Sequence, residues 1–370
     1  MDTGAFTPLR MPSLYCPGPA KTAPDSQRLD ANTIAWMDRL GVYCDREQRD
    51  YLARMSIGSF AALTIPDGPA ERLQVYSDLI AWVFAFDDAV FDEPRPGSLP
   101  DTRTLLLRLD RTLDTPHSPL PGGDPWPVAG IRDIQLRLQR FTGPTQLRRH
   151  VTAIRKYLLG ATLMAPHLLD RRARQEVPSL NDYTMIRLGD GTMATWELIP
   201  ILGGYEVPAR ELDDIRVRAL EEIIDILTMW DNDLFAYNKE AYRAARYGYP
   251  VKNNLLTVLA HQENSTPERV LDQGIAMRDR VMLLFQRLRQ QVRNNASPEL
   301  ARYLTGLGDW HRGYLEWAFF VSNRYTEPGN PGDPDRAQSL AAPSFAEQLT
   351  DDNPRPLPIP TITWWWEQLR

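Results

Sequence analysis

The chain has few of the residues that build disulfide frameworks and zinc sites. Only two of its 370 residues are cysteines, Cys16 and Cys44, and none of its five histidines falls into a cluster with metal-ligand spacing. A disulfide scaffold and a cysteine or histidine metal site are therefore excluded. We expect His311 to lie at the surface or to cap a helix rather than to act as a base. A reducing compartment suits this composition, so we expect a cytoplasmic protein.

Long apolar runs and an excess of basic residues are also absent. No segment reaches about 18 consecutive apolar residues, which predicts that no helix spans a membrane. The first residues, MDTGAFTPLRMPS, lack a basic region followed by an apolar run, so we expect no secretory signal. The formal net charge is −6, which gives no reason to expect a nucleic-acid partner.

Runs of β-branched residues with a period of two are missing too, so we expect no sheet. Apolar residues instead recur at spacings of three and four from Ala31 onwards, which is typical of amphipathic helices. The pattern predicts a single all-α domain of ten or more helices. The predicted helical segments are 31–44, 46–64, 70–93, 102–113, 128–141, 145–175, 180–202, 208–246, 267–294 and 298–325.

Proline separates this helical part from the two ends of the chain. Residues 1–30 hold five prolines and are predicted to form an irregular N-terminal strap. Residues 31–326 form the predicted helical domain, and residues 327–370 a proline-rich C-terminal tail. The tail ends in TITWWWEQLR, and we expect its three tryptophans to pack back onto the helices.

The first candidate site is an apolar segment that turns acidic at its end. The stretch AWVFAFDDAVFDE, residues 81–93, carries Asp87, Asp88 and Asp92. On a helix Asp88 and Asp92 share a face, adjacent carboxylates repel each other, and the helix dipole disfavours negative charge at this end. A hard cation, above all Mg²⁺, would offset these costs. An acidic helix end facing water is the alternative, and this segment alone does not separate the two.

The second candidate site is TMWDNDLFAYNKEAYR, in which Asn232 and Glu240 stand eight residues apart. Eight residues make two helical turns, so both side chains can reach one metal ion along a helix face. Ala236 stands midway, where a hydroxyl group would complete a stripe of three ligands. Taken alone, the polar edge of an amphipathic helix is the better interpretation.

Together the two segments resemble the class I terpene synthases, in particular the microbial terpene cyclases. DDAVFD is similar to that family's DDxxxD motif through Asp87, Asp88 and Asp92. NDLFAYNKE is similar to its NDxxSxxxE motif, with Asn232 first and Glu240 last. The resemblance implies that the two motifs face each other and hold three Mg²⁺ ions against a diphosphate. Ala236 departs from the family's serine or threonine, and we expect weakened metal affinity rather than lost activity.

Further motifs extend the resemblance to the segment IRLGDGTM. Arg187 lies 45 residues before Asn232, where the family carries its diphosphate-sensing arginine. Asp190 and Gly191 resemble the linker and effector positions, which in the family lie at a helix break. Such a break suits this segment, because its glycines weaken a helix interior. The resemblance therefore implies catalytic roles for Asp87, Arg187, Asp190 and Gly191.

Two more groups resemble diphosphate ligands of the family. Arg324 and Tyr325 match its RY pair, and Lys239 matches a basic position just before the glutamate. The resemblance then implies diphosphate contacts by Arg187, Asn232, Lys239, Arg324 and Tyr325. It begins at PDGPAERL, residues 66–73, and covers about two-thirds of the chain up to Tyr325.

The resemblance implies Mg²⁺-dependent ionisation and cyclisation of a linear isoprenyl diphosphate, with release of diphosphate. Farnesyl diphosphate is favoured over geranylgeranyl diphosphate, and the product is a terpene hydrocarbon or alcohol. The fold implied is a helical bundle around a central apolar cavity, whose aromatic faces can stabilise a carbocation. Our candidates for its lining are Phe84, Met193, Trp196, Phe235 and Trp317, although aromatic residues at helical spacing more often form ordinary core. We expect Trp82, Trp230 and Trp310 to belong to that core.

Two other interpretations stay open at this point. A chain-elongating prenyltransferase shares the architecture but would carry a second DDxxD motif in place of the Asn232 and Glu240 pattern. A catalytically silent helical protein that binds an isoprenoid is favoured only by Ala236. A homodimer is compatible with any of the three.

Overall fold

α-Helices form nearly all the regular structure of the described residues, which confirms the all-α prediction. The computed structural model describes residues 9–92, 101–164, 176–191, 196–247, 251–325 and 344–369. The first eight helices are α1 (Ser26–Leu40), α2 (Arg46–Ala53), α3 (Ile57–Thr64), α4 (Ala70–Asp87), α5 (Thr102–Asp114), α6 (Trp126–Leu138), α7 (Pro144–Met164) and α8 (Leu180–Asp190).

The remaining helices lie in the second half of the chain. They are α9 (Leu198–Gly203), α10 (Ala209–Leu212), α11 (Ile215–Tyr247), α12 (Leu255–Gln262), α13 (Pro267–Arg293), α14 (Pro298–Glu316) and α15 (Pro360–Thr363). π-Helical turns continue α4 over Asp88–Asp92 and α14 over Trp317–Val321, and a 3-10 turn spans Trp366–Gln368. No helix among the described residues is long and apolar enough to cross a membrane.

Short polar side chains fix where several helices begin. Asp45, Ser179 and Ser297 each accept the backbone N–H three residues ahead, at 2.9, 3.1 and 3.2 Å. Such caps satisfy donors that have no partner inside the helix. α1 ends at Gly41, whose φ of 63° is a left-handed conformation that favours glycine.

Some helix boundaries differ from the predicted ones. α1 begins at Ser26, so helix extends into the predicted strap, and segment 46–64 forms two helices, α2 and α3. The predicted helix over 180–202 ends at Gly191 and resumes as α9, while the part of segment 145–175 beyond residue 164 lies outside the described residues. α12 was not predicted, because eight residues are too few to show a helical period clearly.

A small β-pair joins the two ends of the described chain. β1 (Leu14–Tyr15) pairs in parallel with β2 (Phe345–Ala346). The expectation that no sheet forms was wrong to this extent. A pair of two-residue strands is too short to show alternation in a sequence.

The C-terminal tail packs onto the helices through its tryptophans. Trp365 is fully buried and donates its indole N–H to Glu222 on α11 at 3.0 Å. Trp366 is also buried, whereas Trp364 is half-buried. Thr361 donates its backbone N–H and its hydroxyl to Asn181 on α8, both at 2.8 Å. The domain limits at residues 30 and 326 stay predictions.

The helices that carry the predicted motifs meet in one assembly. α3 packs against α4 and α14, and α14 packs against α11. α8 packs against α7, α11 and α12. The apolar core is continuous through these contacts. The acidic end of α4, the break after α8, the polar face of α11 and the end of α14 can therefore contribute to one site.

Candidate active site

The acidic end of α4 places Asp87 and Asp88 in different surroundings. Asp87 accepts a hydrogen bond from the Tyr157 hydroxyl of α7 at 3.2 Å. Asp88 is buried and forms an ion pair with Arg324, with oxygen–nitrogen distances of 3.2 and 3.3 Å. Asp92 closes the π-helical turn, and its side chain lies outside what the structure describes.

Arg324 lies at the centre of this acidic end. Its guanidinium lies 4.4 Å from the centre of the Phe84 ring, and one of its nitrogens lies 3.8 Å from the sulfur of Met55. Burial alone would lower the pKa of Arg324, but its interactions with Asp88, Tyr51 and Tyr325 together raise this pKa well above its usual value. Arg324 therefore stays charged inside a largely apolar environment.

Tyr325 connects this pair to the second motif. Asn232 donates its side-chain amide to the hydroxyl of Tyr325 at 2.8 Å and to that of Tyr314 at 3.3 Å. The two hydroxyls lie 3.0 Å apart. Because Arg324 and Tyr325 are consecutive, two residues link Asp88, in the π-helical turn after α4, to Asn232 on α11. The structure thus brings both predicted metal motifs and the RY pair together.

Glu240 lies two turns along α11 from Asn232, and a residue of the next helix hydrogen-bonds to its carboxylate. Asn254, the N-cap of α12, donates its side-chain amide to the Glu240 carboxylate at 3.1 Å and to the carbonyl of Asp233 at 2.9 Å. Ala236, between the two motif residues, is only 2% exposed and supplies no oxygen. Lys239 is buried next to Glu240 on the same helix.

Arg187 occupies the end of α8 and is held by two carboxylates. Its guanidinium donates to Asp190 at 2.8 Å and to Asp233 of α11. Burial alone would lower the pKa of Arg187, yet these carboxylates raise it well above its usual value. α8 ends at Asp190, and Gly191 after it has an extended backbone, so the helix stops where the break is predicted. A Cβ atom on Gly191 would lie 2.3 Å from a side-chain oxygen of the buried Asp225 on α11.

Four of the five predicted lining residues belong to one aromatic cluster, in which Phe84 is partly buried and the other three are buried. Phe84 stacks on Trp317 with ring centres 5.8 Å apart, and Phe235 meets Tyr325 edge-on at 5.7 Å. Trp196 packs edge-on against Trp310 at 4.4 Å. The fifth predicted residue, Met193, lies outside the described residues.

Sequence reasoning missed several members of this cluster. Trp310 is fully buried, as predicted for a core residue, and it also contacts Trp196 and stacks on Tyr314 with centres 5.9 Å apart. Phe60 of α3 touches Trp310, Tyr314 and Trp317. The sequence spacing could have predicted that these three aromatic residues contact one another, since positions 310, 314 and 317 share one face of α14 and the turn that continues it.

The prediction that His311 lies at the surface or caps a helix was wrong. Its ring is buried, with one nitrogen 2.8 Å from Asp231 and the other 3.7 Å from the sulfur of Cys16. Arg278 also binds Asp231, at 2.9 Å. This network fixes the position that precedes Asn232, and it ties the N-terminal strap to α11 and α14.

The chemistry of the donors fits a hard metal ion. Asp87 and Asp88 offer oxygens from α4, and Asn232 and Glu240 offer oxygens from α11. Asn232 uses its NH₂ group for both tyrosines, so its carbonyl oxygen is outside those bonds. All-oxygen sites favour Mg²⁺. Among the described side chains, no three His, Cys, Asp or Glu residues are close enough together to hold a metal ion by themselves.

Comparison with known proteins agrees with this geometry. The family model "Terpene synthase family 2, C-terminal metal binding" matches residues 78–283, more than half of the chain and a range that includes both acidic motifs. The chain belongs to this terpene synthase family. The enzyme is a class I terpene synthase, as the motif resemblance predicted, and its all-α fold is that of the class I terpenoid synthases.

Relatives of this terpene synthase match it along nearly its full length. The (+)-(1(10)E,4E,6S,7R)-germacradien-6-ol synthase of Streptomyces pratensis is 33% identical over all of both chains. The (+)-T-muurolol synthase of Streptomyces clavuligerus, described as farnesyl diphosphate cyclizing, is 31% identical over 95% of this chain and 81% of its own. The crystal structure of 2-methylisoborneol synthase from Streptomyces coelicolor A3(2), in complex with Mg²⁺ and 2-fluoroneryl diphosphate, shares the fold. Its TM-score is 0.73 at 20% identity, over 86% of this chain and 98% of that one.

Proposed function

We propose that this terpene synthase ionises and cyclises a linear isoprenyl diphosphate, with farnesyl diphosphate favoured, and releases diphosphate. The observation that carries the proposal is the junction from Asp88 through Arg324 and Tyr325 to Asn232. It places acidic oxygens, a buried cation and a buried hydroxyl side by side. A site for a diphosphate needs both oxygen ligands for a cation and direct donors of its own.

The chain's own cations bind and neutralise the leaving group in this proposal. Arg324 and Arg187 are buried and stay charged. Lys239 and the hydroxyl of Tyr325 are the other proposed donors. Asp87, Asp88, Asp92, Asn232 and Glu240 would hold Mg²⁺, three ions by analogy with the family, and the bound metal would stabilise the charge that grows on the departing diphosphate.

The aromatic cluster would receive the hydrocarbon tail and the carbocation. Aromatic faces attract cations, and the cluster already places a cation, Arg324, over the ring of Phe84 at 4.4 Å. Phe84 lies on α4 near its acidic end and stacks on Trp317. Phe235 of α11 joins the cluster through Tyr325. Buried apolar walls also keep water from the reactive intermediate.

The choice of substrate rests on a relative. The T-muurolol synthase that is 31% identical to this chain is described as cyclizing farnesyl diphosphate. This favours the C15 substrate over geranylgeranyl diphosphate. The elongase alternative is disfavoured, since α11 carries the pattern of Asn232 and Glu240 and not a second DDxxD motif.

The test is incubation with geranyl, farnesyl and geranylgeranyl diphosphate in turn, each with Mg²⁺, followed by gas chromatography. We expect a cyclic hydrocarbon or alcohol from farnesyl diphosphate. A longer isoprenyl diphosphate would identify an elongase. If none of the three substrates is turned over, the result would favour the catalytically silent protein that binds an isoprenoid.

Two variants test the site assignment in the same assay. We expect Asp87→Ala and Arg187→Ala each to abolish turnover, with the circular dichroism spectrum of the folded protein kept. Asp213→Ala and Arg218→Ala are matched controls, because the side chains of Asp213 and Arg218 are 70% and 66% exposed. Wild-type turnover by either site variant would refute the assignment.

A further inference from the structure

We infer that Asp233 is a positioning residue for Arg187 and not a metal ligand, although it stands inside the metal-binding motif next to Asn232. The inference rests on the proposed function and extends it. It assigns to Asp233 and Tyr183 the task of orienting the guanidinium that meets the diphosphate.

Three donors bind the carboxylate of Asp233. It is completely buried. One oxygen accepts from Arg187, and the other accepts from the hydroxyl of Tyr183 and, at 2.7 Å, from the backbone N–H of Leu255. Removing this carboxylate would leave the buried Arg187 guanidinium without one of its two charged acceptors, which is strongly unfavourable.

The three donors come from two helices that flank α11. Tyr183 and Arg187 lie one turn apart on α8, and Leu255 begins α12. Asn232, about 100° away around α11 from Asp233, faces Tyr314 and Tyr325 of the α14 region instead. Consecutive residues of one motif therefore serve different partners: Asn232 faces the acidic site, and Asp233 faces α8.

This arrangement leaves one nitrogen of the Arg187 guanidinium without an acceptor in the described part of the chain. One terminal nitrogen is bound to Asp190 and the other to Asp233. The Nε–H of Arg187 is buried and has no acceptor among the described residues. An unpaired buried donor is costly, and an anionic oxygen would satisfy it. Asp233 thus holds the guanidinium in one orientation with a donor ready for the diphosphate.

The test compares binding of inorganic diphosphate with the requirement for Mg²⁺. Titration calorimetry with inorganic diphosphate at fixed, saturating Mg²⁺ measures the first. The Mg²⁺ concentration for half-maximal binding or turnover measures the second. The variants are Asp233→Asn, which removes the charge, Tyr183→Phe, which removes one donor, and Asn232→Ala as the metal-ligand comparison.

We expect Asp233→Asn to weaken diphosphate binding about ten-fold or more, and Tyr183→Phe about three-fold, in line with the loss of a charged and a neutral hydrogen bond. Both should raise KM for the substrate while leaving the Mg²⁺ requirement unchanged. Asn232→Ala should raise the Mg²⁺ requirement. Thermal melting identifies any variant that fails to fold, and Tyr183→Phe keeps the ion pair in case Asp233→Asn does not fold.

Two outcomes would overturn the inference. One is an Asp233→Asn variant whose Mg²⁺ requirement rises as far as that of Asn232→Ala. The other is a Tyr183→Phe variant with wild-type affinity for diphosphate and wild-type KM. If the wild type binds inorganic diphosphate but turns over no isoprenyl diphosphate, the proposed function fails, while the calorimetric comparison still decides the role of Asp233.

Discussion

Ala236 is the residue at which this chain departs from its family's metal motif. It lies one turn from both Asn232 and Glu240, so its side chain shares their face of α11. The methyl group is buried and offers no oxygen. Asn254 supports the Glu240 carboxylate from the neighbouring helix. In the proposed metal site, the glutamate is oriented by its neighbour while the middle position offers no ligand.

Ala236→Ser should lower the Mg²⁺ concentration needed for half-maximal rate, by about three- to ten-fold if the hydroxyl adds one ligand bond of ordinary strength. Steady-state rates at saturating substrate over a range of Mg²⁺ concentrations give the value. Ala241→Ser is the control, because it adds a hydroxyl on the same helix but off this face. An unchanged or raised Mg²⁺ requirement in Ala236→Ser would contradict the missing-ligand argument.

The sequence predicts a site residue only where a short local motif contains it. Asp88, Asn232 and Arg187 stand in short motifs with a fixed helical spacing, so the motifs alone named them. The partners of Asp233 and His311 are remote: Tyr183 is 50 residues from Asp233, and Cys16 is 295 residues from His311. No local pattern in one sequence records such contacts, so the orienting carboxylate and the buried histidine were missed.

At the scale of elements, the crossing of α7 and α8 decides where Arg187 lies. A Cβ atom on Gly160 of α7 would lie 2.2 Å from the backbone carbon of Gly189 on α8. The two backbones therefore touch two residues after Arg187. Helical periodicity predicted both helices, but it could not predict which faces meet. That contact depends on two glycines from separate helices.

Gly160→Ala should push α8 away from α7 and destabilise the protein by about 1–3 kcal/mol, the usual cost of overpacking. Catalytic rate should fall with it, because Arg187 moves with α8. Urea unfolding and steady-state kinetics measure the two effects. The matched control is Gly274→Ala in α13, where a Cβ would meet three leucine side chains at 3.5–3.6 Å.

Gly274→Ala should be neutral or stabilise the protein by up to about 1 kcal/mol, since alanine lowers the entropy of the unfolded chain. A Gly160→Ala protein with wild-type stability and rate would show that α7 and α8 can separate without moving Arg187. If Gly274→Ala is as unstable as Gly160→Ala, the destabilisation cannot be attributed to the contact between α7 and α8.

At the scale of the whole molecule, the two ends of the chain are built into the helical assembly. β1 and β2 pair although they lie about 330 residues apart in the chain. Thr350 donates to Asp279 of α13 at 2.7 and 2.9 Å, and Thr361 and Trp365 bind α8 and α11. The tail therefore supports the helices that carry Arg187 and Asn232. Its tryptophans were visible in the sequence, but their partners were not.

Glu221 links two helices and lies near a second acidic residue, Glu197. Glu221 of α11 accepts the hydroxyl of Tyr303 from α14 at 2.5 Å. Burial raises the pKa of Glu221 from 4.5 to about 8, and the nearby negative charge of Glu197 adds to this. Burial likewise raises the pKa of Glu197 to about 7. Both carboxyls are therefore protonated in the folded protein well above the pH at which they ionise in the unfolded chain.

This difference sets the sign of the pH dependence. Below about pH 4.5 both states carry the proton on Glu221, so its full contribution to stability is present. As the pH rises towards 8, the unfolded chain loses this proton while the folded protein keeps it, and the free energy of unfolding falls. Above the folded-state pKa the loss is complete, because the folded protein then holds a buried charge.

Glu221→Gln removes this titration but keeps an oxygen that can accept from Tyr303. We expect the melting temperature of the variant to match that of the wild type near pH 4.5 and to exceed it by about 4 °C or more at pH 8.5. Melting followed by circular dichroism from pH 4.5 to 9 measures the difference. Glu263→Gln, at an exposed position after α12, should show no such divergence. Parallel curves for Glu221→Gln and wild type across this range would mean that Glu221 ionises normally, and the two helices would then be joined by a charged contact.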